Sequence, residues 1–74
     1  MAYDYAKLTG RIIEKCGTQA AFAKRMGLSE RTVSLKLNNK LAWKQTEIQK
    51  AVQILNFRTN EIQAYFFTIK VQDN

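Results

Sequence analysis

QAAFAKRMGLSERTVSLKLN, residues Gln19 to Asn38, reads as two short helices joined by a tight turn. Ala23 is small, so a second helix can cross over it. Gly27 can take the positive φ that stops the first helix sharply. Val33 plugs the second helix into a core. Thr18 and Ser29 stand where N-caps belong. With Val33 and Leu37 turned inward, the opposite face of the second helix carries Glu30, Arg31, Ser34, Leu35 and Asn38. A helix held in this way can enter the major groove of DNA.

The rest of the chain supplies support. Tyr5, Leu8, Ile12 and Cys16 share one face of a first helix running from an Asp4 cap to Cys16, with Gly17 as its stop. A fourth helix starts at Thr46, where Thr46 and Gln49 match a capping box. Its inner stripe is Ile48, Val52 and Leu55, and Asn56 with Phe57 ends it. A fifth helix begins near Thr59 or Asn60 and buries Ile62, Tyr65 and Phe66. Residues 67–74 combine strand propensity at Thr68, Ile69 and Val71 with no partner strand, so they read either as an extended tail packed on the core or as a strand that pairs only with a partner. The expected fold is all-α: one compact five-helix domain over residues 1–74, with its helix-turn-helix at 18–39 and a tail from about 67.

Composition narrows the function. Seventy-four residues, 46% of them apolar, make a small packed globule with roughly 3–5 kcal/mol of net stability. There is no His and one Cys, so neither an internal disulfide nor a zinc site is expected. Cys16 reads as a small buried hydrophobe. The chain has no glycine-rich phosphate loop and no carboxylate cluster, and nothing sets a Ser or Lys up as nucleophile and base. No enzyme, cofactor or small-molecule substrate is therefore expected. Without a long apolar run or a secretory signal, the chain reads as cytoplasmic with no membrane partner. The formal charge is +6, and residues 24–50 hold seven cations against two anions, a net +5. Charge alone fits a solvated basic face as well as a DNA footprint; the helix pair decides between them.

Candidate contacts divide by chemistry. Arg31 can bond guanine O6 and N7, Glu30 can accept from a cytosine amino group, and Leu35 can touch a thymine methyl. With Ser29 and Ser34 they form the base-reading set. Glu30 has a competing role as the partner of Arg31 or Lys24. Thr18, Gln19, Lys36, Asn38, Asn39, Lys40 and Lys44 suit phosphates. Trp43 either presses on the sugar-phosphate backbone or anchors its loop to the core. One such domain gains little specific affinity, so a homodimer on double-stranded half-sites about 34 Å apart is expected. Three consecutive aromatics cannot all face inward. Tyr65, Phe66, Phe67, Ile69 and Val71 are therefore the candidate protein-contact surface, against a packed-tail alternative.

The segment TQAAFAKRMGLSERTVSLKLNNK, residues 18–40, resembles the helix-turn-helix of the lambda-repressor-like, Cro-type family. Together with WKQTEI (43–48) and AYFFTIKVQ (64–72), the whole chain is similar to small Cro-like regulators of temperate phages of Gram-positive bacteria. The resemblance implies a five-helix regulator of the lysis–lysogeny switch in a bacterial host cell. It puts base contacts at Ser29, Glu30, Arg31, Ser34 and Leu35, with Gln19 on a phosphate. It also implies a second way of working, because modulators of repression in this group contact the phage repressor protein itself. Two departures stand out. Glu30 replaces a frequent Gln, and Lys36 replaces a frequent apolar residue, which leaves Leu37 to make the inward contact alone.

Overall fold

The computed structural model describes residues 2–70. Its elements are α1 (Ala6–Cys16), α2 (Gln19–Met26), α3 (Glu30–Leu37), α4 (Gln45–Leu55), a 3-10 turn (Thr59–Glu61) and α5 (Ile62–Phe66). The architecture is all-α, as expected, with five helices among the described residues.

Local chemistry fixes the helix ends. Thr18 Oγ1 accepts from the Ala21 N–H at 3.0 Å, and Ser29 Oγ accepts from the Thr32 N–H at 3.1 Å. Each cap satisfies a backbone donor that has no partner within its own helix. The ends of α2, α3 and α4 are each followed by a left-handed residue: Gly27 (φ 72°), Asn39 (φ 62°) and Asn56 (φ 57°). After each, the next amide folds back onto a carbonyl of the last turn: Leu28 to Ala23 at 2.9 Å, Lys40 to Leu35 at 2.8 Å, Phe57 to Val52 at 3.0 Å. Gly and Asn tolerate this conformation, which is why a chain without proline can still turn so tightly.

Two starts differ from expectation. Tyr5, not Asp4, occupies the N-cap of α1, although the Asp4 carboxylate still takes the Ala6 N–H at 2.9 Å. α4 begins at Gln45 rather than Thr46, and the reciprocal bond is made by Glu47, which accepts the Lys44 N–H at 2.8 Å. A carboxylate accepts more strongly than the Gln49 amide and favours the positive end of the helix dipole.

Leu8, Ile12, Phe22, Val33, Ala51 and Leu55 are fully buried, and Tyr5, Ala23, Met26, Phe57 and Phe66 nearly so. On α4 the register is turned slightly from the expected stripe: Ala51 is buried, while Ile48 and Val52 are half-buried beside it. Cys16 is also only half-buried, with its sulfur 4.0 Å from an Arg25 guanidinium nitrogen. Arg11 crosses from α1 to the end of α4. It donates to the Leu55 and Asn56 carbonyls at 3.1 and 3.2 Å and lies over the Phe57 ring.

The tail has a partner after all, within the same chain. Tyr3 and Ile69 form an antiparallel bridge, flanked by Asp4 N–H to Thr68 O at 2.7 Å and Lys70 N–H to Ala2 O at 2.9 Å. No described helix is long and apolar enough to cross a membrane.

Candidate functional site

The outer face of α3 is where helical spacing put it. Val33 is fully buried, and Glu30, Arg31 and Asn38 are exposed on the other side, with Ser34 and Leu35 half-buried. Ser29 is exposed, but its hydroxyl is engaged with the Thr32 backbone and hydroxyl. Neither Arg31 nor Glu30 is in an ion pair among the described residues, so the competing role for Glu30 as partner of Arg31 or Lys24 is not taken up. The Asn38 amide turns back to the Ser34 carbonyl at 2.8 Å.

Lys36 is the main correction. It is 4% exposed, and its ammonium donates to Glu47 Oε1 and to the Ala42 carbonyl, both at 2.8 Å. It also lies 5.8 Å from the centre of the Trp43 ring. It therefore leaves the phosphate set and becomes the bolt that fastens the 38–44 loop between α3 and α4. Leu37, left to make the inward contact, packs only half-buried against the core. Burial on its own would raise the Glu47 carboxyl. The Lys36 hydrogen bond, the Lys44 N–H and the charges of both lysines together outweigh burial and hold it below its ordinary value.

Asn39 is the second correction. Its amide oxygen accepts the Tyr3 N–H and its amide nitrogen donates to the Tyr3 carbonyl, both at 2.9 Å. The side chain thus acts as a strand edge for Tyr3, and it too leaves the phosphate set. Thr18, Gln19, Lys40 and Lys44 keep their positions near the surface, Thr18 while capping α2. Lys24, Arg25 and Lys50 are also exposed.

The aromatic candidates separate as their crowding demanded. Phe66 is buried at 2% exposure and belongs to the core, so it is no contact residue. Tyr65 is half-buried and stacks on Phe57 at 4.2 Å. Phe67 and Ile69 are exposed, and Val71 lies outside the described residues. Trp43 anchors its loop, edge-on to Phe66 at 5.4 Å and to Tyr5 at 6.4 Å. Its indole N–H is buried without a partner among the described residues. Burial, with the neighbouring Tyr3, raises the Tyr5 hydroxyl above its usual range.

No curated protein matches the chain. Among solved structures, the chain is similar to the solution structure of the modulator of repression (MOR) of the temperate bacteriophage TP901-1 from Lactococcus lactis. The two share 60% sequence identity and superpose with a TM-score of 0.80, covering 97% of each chain. A family model described as "Protein of unknown function (DUF739)" matches residues 1–69, and the chain belongs to that family.

Proposed function

We propose that this chain modulates phage repression by binding directly to a phage repressor protein, with the outer face of α3 as its contact. The similarity to MOR, at 60% identity over nearly the whole of both chains, supports a role in repression control. The observation that carries the protein-contact reading is the charge on α3. Its three charged side chains are Glu30, Arg31 and Lys36. With Lys36 consumed by Glu47, the free face holds one cation and one anion beside the half-buried Leu35. That balance suits a mixed protein surface, where an exposed Arg can act as an anchor. It suits a phosphate backbone poorly, because Glu30 would repel it.

A second reading, a sequence-specific Cro-like DNA-binding regulator using α2 and α3 as a helix-turn-helix, keeps one observation in its favour. Lys24, Arg25, Lys40, Lys44 and Lys50 are exposed on α2, α4 and the loop. A mobility-shift titration on operator DNA, with and without the phage repressor, together with calorimetry of the chain against the repressor without DNA, separates the two. The expected result is a stoichiometric complex with the repressor in the absence of DNA, and release of the repressor from its operator. Tight operator binding by this chain alone would overturn the reading. DNA binding would show an affinity that falls with salt at roughly 0.9 in log–log slope per phosphate neutralised.

A further inference from the structure

We propose that the cleft beyond the C-terminal end of α3 is a second protein-docking site, which receives an acidic segment carrying large apolar side chains. The inference does not depend on the α3 contact. Tyr3, Leu41 and Phe67, all more than a third exposed, gather around a cleft of 870 Å³ with Trp43 in its wall. Ile69, the most exposed large apolar side chain described, is the bridge partner of Tyr3 at its margin. Three of the five exposed large hydrophobics of the described chain thus line this one cleft, and a fourth, Ile69, is bridged to one of them. Scattered apolar side chains need no explanation, but a gathered set marks an interaction surface. The volume falls in the range that holds a drug-sized ligand, about 300–1,000 Å³, so it takes several apolar side chains.

Charge selects the occupant. The two charged residues lining the cleft among the described residues are Lys40 and Lys70, and no carboxylate accompanies them. An acidic partner gains from both, and electrostatic complementarity of this kind sets partner choice and approach rate. A second copy would be penalised, because a two-fold contact brings both pairs of lysines together. Nucleobase stacking needs open ring faces. Here Phe67 meets Tyr3 edge-on at 6.0 Å, while Trp43 is occupied by Phe66 and Lys36. Strand addition at Tyr3 is blocked as well, since Asn39 already occupies both of its peptide groups. Insertion of side chains from an acidic amphipathic segment is the mode that remains.

The test is selection of a random phage-displayed peptide library on the intact protein, followed by titration of the winning peptides using emission from Trp43, the sole tryptophan. Selected peptides should be acidic with large apolar residues. Affinity should fall about tenfold or more in Lys40→Glu/Lys70→Glu and in Leu41→Ser, all at exposed positions. Arg31→Ala should leave it unchanged, which keeps this result separate from that for the α3 face. Circular dichroism should show both cleft variants folded; an additional Lys40→Gln/Lys70→Gln variant, giving an intermediate loss, covers any reversal that unfolds. The proposal is overturned if no peptide is enriched, or if the winners ignore the lysine substitutions. It is also overturned if a single-stranded oligothymidine displaces them and binds more tightly, or if the protein forms a dimer that Leu41→Ser dissolves.

Discussion

The charges of α3 occupy two different environments. Arg31 and Glu30 are exposed and have no ion-pair partner among the described residues, whereas Lys36, five residues after Arg31, is sealed against Glu47 and the Ala42 carbonyl. The contrast shows that charge type does not assign a role on this helix; the side of the cylinder does. Lys36 lies three residues beyond Val33 and so shares the inward stripe. A cation there is tolerated only because a carboxylate and a carbonyl meet it. Arg31 has no such pairing among the described residues, which is what the proposed contact on α3 requires of it.

The sharpest way to break this contrast is Lys36→Met. Removing one member of a buried pair costs about 3–5 kcal/mol. Glu47 is 14% exposed and keeps the Lys44 N–H, so a loss near the low end, about 3 kcal/mol, is expected in urea unfolding. Lys36→Met with Glu47→Leu should recover part of that loss, short by about 1 kcal/mol each for the vacated Lys44 amide and Ala42 carbonyl. If the double variant is no more stable than the single one, the pair is not the element that holds the loop.

Asn39 comes next. Asn39→Ala places a plain Cβ, with no side-chain polar group to compensate, at φ 62°, where Gly and Asn sit easily, and removes both bonds to Tyr3. The expected loss is about 2 kcal/mol. Asn39→Gly restores the turn but not the bonds, so about half the loss should return. Hydrogen exchange at the Asp4 and Lys70 amides should still quicken in Asn39→Gly, because their bridge has lost its outer edge. Unchanged exchange would mean that the Tyr3–Ile69 bridge holds without Asn39.

Acid probes the buried pair without mutation. The Glu47 carboxyl titrates below its ordinary value in the folded chain. Its contribution is therefore fully present above the unfolded carboxyl value, about 4.3, and is lost as pH falls through the lower folded value. Thermal midpoints should fall below that point, and the fall should be shallower in Glu47→Gln. Equal slopes in the two proteins would show that Glu47 is not the group responsible.

These expectations also mark what the sequence could reveal. Thr18, Gly27, Ser29 and Asn56 were legible because caps and left-handed stops are local: each bond spans a handful of residues. The outward placement of Glu30 and Arg31 followed from the same periodicity. Lys36 was not legible as a core residue, since its partners lie in the next loop and helix. The departure from an apolar residue at that position was the available signal. Arg11 on the Leu55 and Asn56 carbonyls, Asn39 on Tyr3, and Ile69 opposite Tyr3 join residues 36 to 66 positions apart, and no periodic pattern encodes such pairs. The aromatic run 65–67 could be recognised as over-full, but only the fold decided that Phe66 goes in and Phe67 stays out.

The smallest expected stability effect belongs to the residue given the largest functional role. Arg31 is exposed and unpaired among the described residues, so Arg31→Ala should change unfolding free energy by no more than about 0.5 kcal/mol. Repressor binding by calorimetry should nevertheless weaken about tenfold or more, which is about 1.4 kcal/mol. Arg31→Lys keeps the charge but loses the planar fork, and should recover little if the contact is bidentate. Full recovery would reduce Arg31 to a point charge. If operator DNA is the partner instead, Arg31→Ala should lower specific binding far more than non-specific binding, because a base contact discriminates and a phosphate contact does not.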